Sequence, residues 1–208
     1  MRGVVFIGGE RPRAGSVAAL AGEGVLVVAA DSGVYAAEDW GAEPDWIVGD
    51  MDSLDHDGVL SKYPKSRVLR YPRDKDFTDT ELAIELLFDK GCDEVILIGG
   101  GGGRLAHTLA LVSLFERKRP PVRWLTARED IFFVEGRRVI ETGAGALVSV
   151  FPLGAGPWLA ESERLKWPLR GLAWERGCFG ISNIATGDTV NIDIKQGSFL
   201  FIIEQNGV

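Results

Sequence analysis

At 208 residues, with 46% hydrophobic and 25% charged side chains, the chain has the size and composition of one large globular domain or two small ones. A net charge of −7 and a pI near 5.0, with no long run of Lys and Arg, argue against nucleic acid or an anionic membrane surface as the main partner. Cys92 and Cys178 lie far apart without metal-ligand spacing, the opening apolar run is too short for a signal peptide, and no stretch is long enough to span a bilayer, so the expected location is the cytoplasm.

The first half alternates continuous apolar runs with helical patterns. Residues 4–7 read as a strand ending in Gly8-Gly9, 16–21 as a short helix, and 25–30 as a second strand closed by Asp31-Ser32-Gly33. Continuous rather than alternating apolar runs fit strands buried on both faces. A helix is expected over 34–40 with Gly41 as its stop, then a strand at 46–48, a helix over 54–63, and a strand over 67–71 ended by Pro72. The next helix has complete start signals: Thr78 and Glu81 form a capping box, and Phe77 and Leu82 occupy the positions of a hydrophobic staple. After its stop at Gly91 come a strand over 95–98, five glycines at 99–103, a helix over 105–116 broken by Pro120-Pro121, and a strand over 122–125.

This pattern predicts an α/β N-terminal domain over 1–128, with a mostly parallel, helix-covered sheet. From about residue 129 the texture changes to short apolar segments between glycine turns, at 131–134, 138–140, 147–151, 190–194 and 198–203. That is the pattern of an all-β, sandwich-like C-terminal domain over 129–208, with Lys195-Gln196-Gly197-Ser198 as a hairpin turn.

The polar clusters of the first half share one position. Asp31, the Asp50/Asp52 pair, the acidic run 74–81 and the glycine run each follow a predicted strand, where parallel sheets bind ligands. If Trp46-Ile47-Val48 is a strand, alternation sends Asp50 and Asp52 off its end in the same direction. Two acidic clusters at such ends fit a hard cation such as Mg2+, which takes oxygen ligands and phosphate partners. The glycine run before a helix is a candidate phosphate cradle, and Arg104 at its mouth can grip two phosphate oxygens. It lacks the Lys-Ser/Thr of a Walker loop and the third glycine of a dinucleotide fingerprint. His107 reads as a capping or core residue and His56 as a surface one. No Ser/His/Asp or Cys/His arrangement points to covalent catalysis.

Taken together and in order, several motifs resemble those of the thiamine pyrophosphokinase family. They are Ala30-Asp31-Ser32-Gly33, the run Pro44-Asp45-Trp46-Ile47-Val48-Gly49-Asp50-Met51-Asp52-Ser53, Asp74-Lys75-Asp76-Phe77-Thr78-Asp79, Gly102-Gly103-Arg104-Leu105-Ala106-His107-Thr108, Lys166-Trp167-Pro168-Leu169 and Gly180-Ile181-Ser182-Asn183. The resemblance implies Mg2+-dependent transfer of pyrophosphate from ATP to thiamine, and a homodimer with sites at the subunit interface. It implies Asp50, Asp52 and Asp79 as the metal and catalytic group together with Arg104. It implies Asp31, Thr78, Gly102, Gly103 and Arg104 at the ATP site, and Ser182, Asn183 and Lys75 at the thiamine site. Trp167 joins the last set as a ring on which the cationic thiazolium can stack. Two positions depart from the family pattern: Ala106 stands where Asp is usual and Leu111 where Asn is usual. They leave open a catalytically weakened thiamine- or nucleotide-binding homologue, or a pyrophosphokinase for another alcohol such as a pterin.

Overall fold

The computed structural model describes residues 1–12, 20, 24–52, 54 and 58–205. The chain falls into two compact units, Met1–Leu114 with Trp124–Ala127, and Phe115–Arg123 with Arg128–Val208. Residues 115–123 thus group with the second unit.

In the first unit β1 (Arg2–Phe6), β2 (Leu26–Ala30), β3 (Trp46–Gly49), β4 (Val68–Arg70) and β5 (Glu94–Ile98) form a sheet in the order β5-β1-β2-β3-β4, every neighbouring pair parallel. β6 (Arg123–Leu125) lies beyond β5. The continuous apolar runs are what a sheet covered on both faces needs: Val5, Val28, Ala29, Ile47, Val48 and Leu97 are fully buried. α1 (Gly33–Asp39) packs on β1 and β2, and α2 (Asp79–Asp89) on β1, β2, β3 and β5. The expected capping box starts α2: the Glu81 N–H donates to Thr78 Oγ1 at 3.3 Å, and the Thr78 N–H to Glu81 Oε2 at 2.7 Å. The staple is weaker than expected, since Phe77 is 54% exposed.

Two expected helices differ, and a third is not covered by the described residues. The one over 16–21 lies, apart from Leu20, outside the described residues, as do Ser53 and His56. The one over 54–63 is replaced, where described, by 3-10 turns at Val59–Lys62 and Lys65–Arg67. Gly58 precedes the first in a left-handed conformation, and Pro64 separates the two, so no regular helix can run through. The helix after the glycines, α3 (Leu105–Ser113), tightens into a 3-10 turn at Leu114–Glu116.

The second unit is a sandwich of antiparallel strands. β7 (Glu129–Val134), β9 (Leu147–Leu153), β11 (Gly180–Ile184) and β13 (Ser198–Glu204) pair in the order β11-β9-β13-β7, and β8 (Arg137–Glu141), β10 (Leu159–Glu163) and β12 (Thr189–Gln196) in the order β10-β12-β8. Their inward residues, among them Val148, Val150, Val190, Ile192, Phe199 and Phe201, form one buried cluster. The expected hairpin at Lys195–Ser198 does not form: β12 pairs with β10 and β8, whereas β13 pairs with β7 and β9, so the chain crosses from one sheet to the other at Gly197. Alternation cannot distinguish a strand that folds back on its predecessor from one that crosses to the facing sheet, because both present the same apolar face inward. Among the described residues no helix is long and apolar enough to cross a membrane.

Candidate active site

The sequence brings acidic residues to the carboxyl ends of β2 and β3 through local backbone geometry. Asp31 follows β2 in a left-handed conformation, with φ 48°. Its N–H donates to Val48 O at 2.9 Å, tying it to the end of β3, and its carbonyl accepts from the Val34 N–H as α1 begins. β3 itself ends at Gly49, so strand alternation does not orient Asp50 and Asp52 as expected. Met51 does. It adopts φ 65°, and its fully buried side chain packs with Ala29, Val34, Ile47, Leu54 and Val59. With Met51 turned inward, the Asp52 N–H donates to Asp50 Oδ1 at 3.0 Å, an Asx turn that folds the two aspartates together.

The result is a cluster in which carboxylate oxygens of Asp31, Asp50 and Asp52 lie within 4.8 Å of one another. Asp79, the first residue of α2, stands beside it: a methyl group built on Gly49 would lie 3.3 Å from both Asp79 Cγ and Asp31 Cβ. Burial pushes the Asp79 carboxyl above the usual range, an effect opposed by Lys75 and reinforced by Asp50 and Asp31. Lys75 Nζ is 3.2 Å from the buried Asp79 Oδ1, an i,i+4 ion pair. The ammonium donates to Pro72 O at 3.0 Å. Arg73 reaches Asp52 at 3.4 Å from a largely exposed position.

Of the expected trio Asp50, Asp52 and Asp79, the first two cluster with Asp31, and Asp79 stands adjacent. Spacing in the sequence does not show that β2 and β3 are neighbours, which is what brings Asp31 to the pair. Thr78 Oγ1 takes up the cap bond of α2, and Lys75 faces Asp79. The donors are all carboxylate oxygens, and that set suits a hard cation such as Mg2+, which retains several waters and completes its shell with phosphate.

The glycine run closes against β1 and β6. The Gly99 N–H donates to Leu125 O at 2.9 Å, the Gly100 N–H to Gly8 O at 3.0 Å, and Trp124 Nε1 to Gly99 O at 2.8 Å. Two of the N–H groups expected to face an anion are thus spent on the backbone. Gly102, Gly103 and Arg104 are exposed, and the Arg104 guanidinium contacts the His107 ring. Ala106 is exposed on α3. Leu111 is buried under the turn, where a methyl on Gly100 would meet Leu111 Cδ1 at 3.0 Å and Trp124 Cζ2 at 3.3 Å.

In the second unit Asn183 is a clamp. Its Oδ1 accepts from the Trp167 N–H at 3.1 Å and the Ile184 N–H at 2.8 Å, and its Nδ2 donates to Trp167 O at 2.7 Å. The buried amide fixes the backbone of Trp167, a residue 53% exposed whose ring carries the Lys166 ammonium at 4.6 Å on one face. Ser182 is exposed at a bulge in β11, with φ 58°.

Residues 18–123 match the family described as "Thiamin pyrophosphokinase, catalytic domain". The chain belongs to the thiamin pyrophosphokinase family. Solved structures of thiamin pyrophosphokinases share its fold. The Bacillus subtilis structure is similar with a TM-score of 0.81 at 20% identity, covering 100% of both chains. The Geobacillus thermodenitrificans structure gives 0.79 at 22% identity, covering 100% of this chain and 99% of that one. The Candida albicans structure gives 0.76 at 16% identity, covering 99% and 89%. Comparison with curated proteins found no match. The matched segment contains Asp31, Asp50, Asp52, Asp79 and Arg104, so the acidic cluster lies within the catalytic-domain match.

Proposed function

We propose that the chain transfers the terminal pyrophosphoryl group of ATP to the hydroxyl of thiamine, giving thiamine diphosphate and AMP, with Mg2+ held by Asp31, Asp50 and Asp52 and approached by Asp79. The gathering of three carboxylates from two strand ends within 4.8 Å, inside the family match, is the observation that carries this reading. The thiamine oxygen forms a bond to the β-phosphorus, the bond from that phosphorus to the α-phosphate oxygen breaks, and the hydroxyl proton leaves to solvent. Mg2+ at this site supplies charge neutralisation across the phosphates. The chain's own part is positioning. Asp79 accepts the hydrogen bond of the attacking hydroxyl, Arg104 meets phosphate oxygens at the mouth of the glycine turn, and Lys75 holds Asp79 in place.

In this reading Trp167, presented by Asn183, stacks on the thiazolium and Ser182 contacts the same ligand. The chain works as a homodimer with sites at the subunit interface, consistent with Leu105 and Leu109 standing 71% and 57% exposed along α3. It works in the cytoplasm, where Cys92 and Cys178 stay free. Ala106 and Leu111 favour a second reading, a binding homologue with weakened turnover. AMP release measured with and without thiamine, at saturating ATP and Mg2+, decides between them. Release that requires thiamine supports the enzyme; nucleotide binding without it supports the homologue. Release driven by a pterin instead transfers the assignment to another alcohol.

A further inference from the structure

All these strands run parallel, and the strand order reverses between β1 and β5: β2, β3 and β4 run off one side of β1, and β5 lies on the other. Ligands of parallel sheets bind in the crevice outside the strand ends at such a reversal. Here that crevice is lined by the turn after β1 and the glycine turn after β5. The two are bonded together, with the Gly100 N–H donating to Gly8 O and the Glu10 N–H to Gly101 O at 3.5 Å. The half-buried Glu10 side chain lies directly over Gly102. A Cβ at Gly102 would stand 2.4 Å from Glu10 Cγ and 2.5 Å from Glu10 Oε1, so in this pose the Glu10 side chain occupies the space a side chain at 102 would take. A carboxylate therefore lies over the segment that sequence alone reads as a phosphate cradle.

We infer that Glu10 is the ribose-reading residue of the nucleotide site, its carboxylate accepting from the 2′- and 3′-hydroxyls while the phosphates lie at the ends of β2 and β3. A carboxylate repels phosphate and suits a vicinal diol, which offers two O–H donors to one acceptor pair. The acidic cluster that would hold the metal is centred one to two strands away from the β1/β5 crevice, a lateral offset of roughly 5–10 Å. That separation matches a nucleotide lying across the strand ends, sugar at one side and terminal phosphates at the other. The inference deepens the ATP reading above and rests on it.

The test is equilibrium binding of ATP, 2′-deoxy-ATP, 3′-deoxy-ATP and ITP, with Mg2+, to the wild-type chain and to Glu10→Ala and Glu10→Gln, each variant first checked for wild-type thermal unfolding. The wild type is expected to bind ATP about tenfold or more tighter than either deoxy analogue, as for hydrogen bonds to a charged group. Glu10→Ala should bind all three alike, near the wild-type deoxy level, and Glu10→Gln should recover part of the preference because its carbonyl still accepts. Preserved discrimination in Glu10→Ala overturns the inference. So does tighter ATP binding in that variant, which would make the carboxylate a competitor of phosphate, or a selective loss of the preference over ITP, which would make it a reader of the base. A wild type that binds none of these nucleotides overturns the ATP reading itself and this one with it.

Discussion

Gly49 is the spacer on which the acidic cluster depends, and Gly49→Ala is the sharpest perturbation of it. The residue has φ 153°, where a side chain is strained, and the added methyl would sit 3.3 Å from Asp31 Cβ, 3.3 Å from Asp79 Cγ and 3.5 Å from Asp31 Cα. Backbone strain of this kind costs about 1–3 kcal/mol. Carbon atoms in comfortable contact stand about 3.5–4.0 Å apart, so Asp31 and Asp79 must each give by a few tenths of an ångström. Displacing groups around a metal typically weakens its binding by about 10–100-fold. Gly41→Ala is the control: it also has a left-handed φ, 68°, but nothing lies within 4 Å of its Cβ. It should cost about 1–2 kcal/mol from conformation alone and leave metal affinity unchanged. Urea unfolding read by both tryptophan fluorescence and far-UV circular dichroism, whose coincidence tests for a single transition, gives the stability change, and Mn2+ titration by electron paramagnetic resonance gives the affinity. A Gly49→Ala chain that binds Mn2+ as tightly as the wild type would refute the spacing argument.

Other changes have equally defined outcomes. Thr78→Ala removes one half of the capping box and should cost about 1 kcal/mol in urea unfolding, with Thr78→Ser restoring most of it. Asn183→Ala leaves the Trp167 N–H and carbonyl without the clamp. It should destabilise the second unit by about 1–3 kcal/mol and, because Trp167 loses its fixed pose, weaken thiamine binding in a calorimetric titration. The Asp193 carboxyl is held below its usual range first by the hydrogen bond from Lys195 and then by Arg137. A depressed carboxylate contributes stability above its unfolded pKa of 3.8 and loses it as the pH falls through the folded value. Asp193→Asn should therefore lower the unfolding midpoint at neutral pH and match the wild type in strong acid. An equal deficit at both pH values would contradict the pairing.

Much of the architecture was legible because burial on both faces leaves a plain mark. Residues 4–7, 25–30 and 95–98 are uninterrupted apolar runs, and each overlaps a central strand. The start of α2 was legible for a local reason, since Thr78 and Glu81 act on each other within one turn. β10 and β11 were not, because Leu159-Ala160-Glu161-Ser162-Glu163 and Gly180-Ile181-Ser182-Asn183-Ile184 are short and largely polar. Within the site, Asp50 and Asp52 could be picked out as a pair, but the force joining them is the burial of Met51 and an Asx turn. Asp31 entered the cluster through strand adjacency, a long-range fact. Glu10 gave no local signal; its place depends on how two distant turns meet at Gly102.

Crowding three carboxylates into so small a space makes the kind of dissolved ion matter more than its amount. Their oxygens sit within 4.8 Å of one another, less than the screening distance of about 8 Å in physiological saline, so sodium or potassium chloride can soften their mutual repulsion only slightly. A doubly charged ion seated among them relieves it directly and ties the ends of β2 and β3 into one unit. Heat resistance of this chain should thus be nearly indifferent to added monovalent salt and rise on adding millimolar magnesium or manganese, by an amount set by how far the concentration exceeds the dissociation constant.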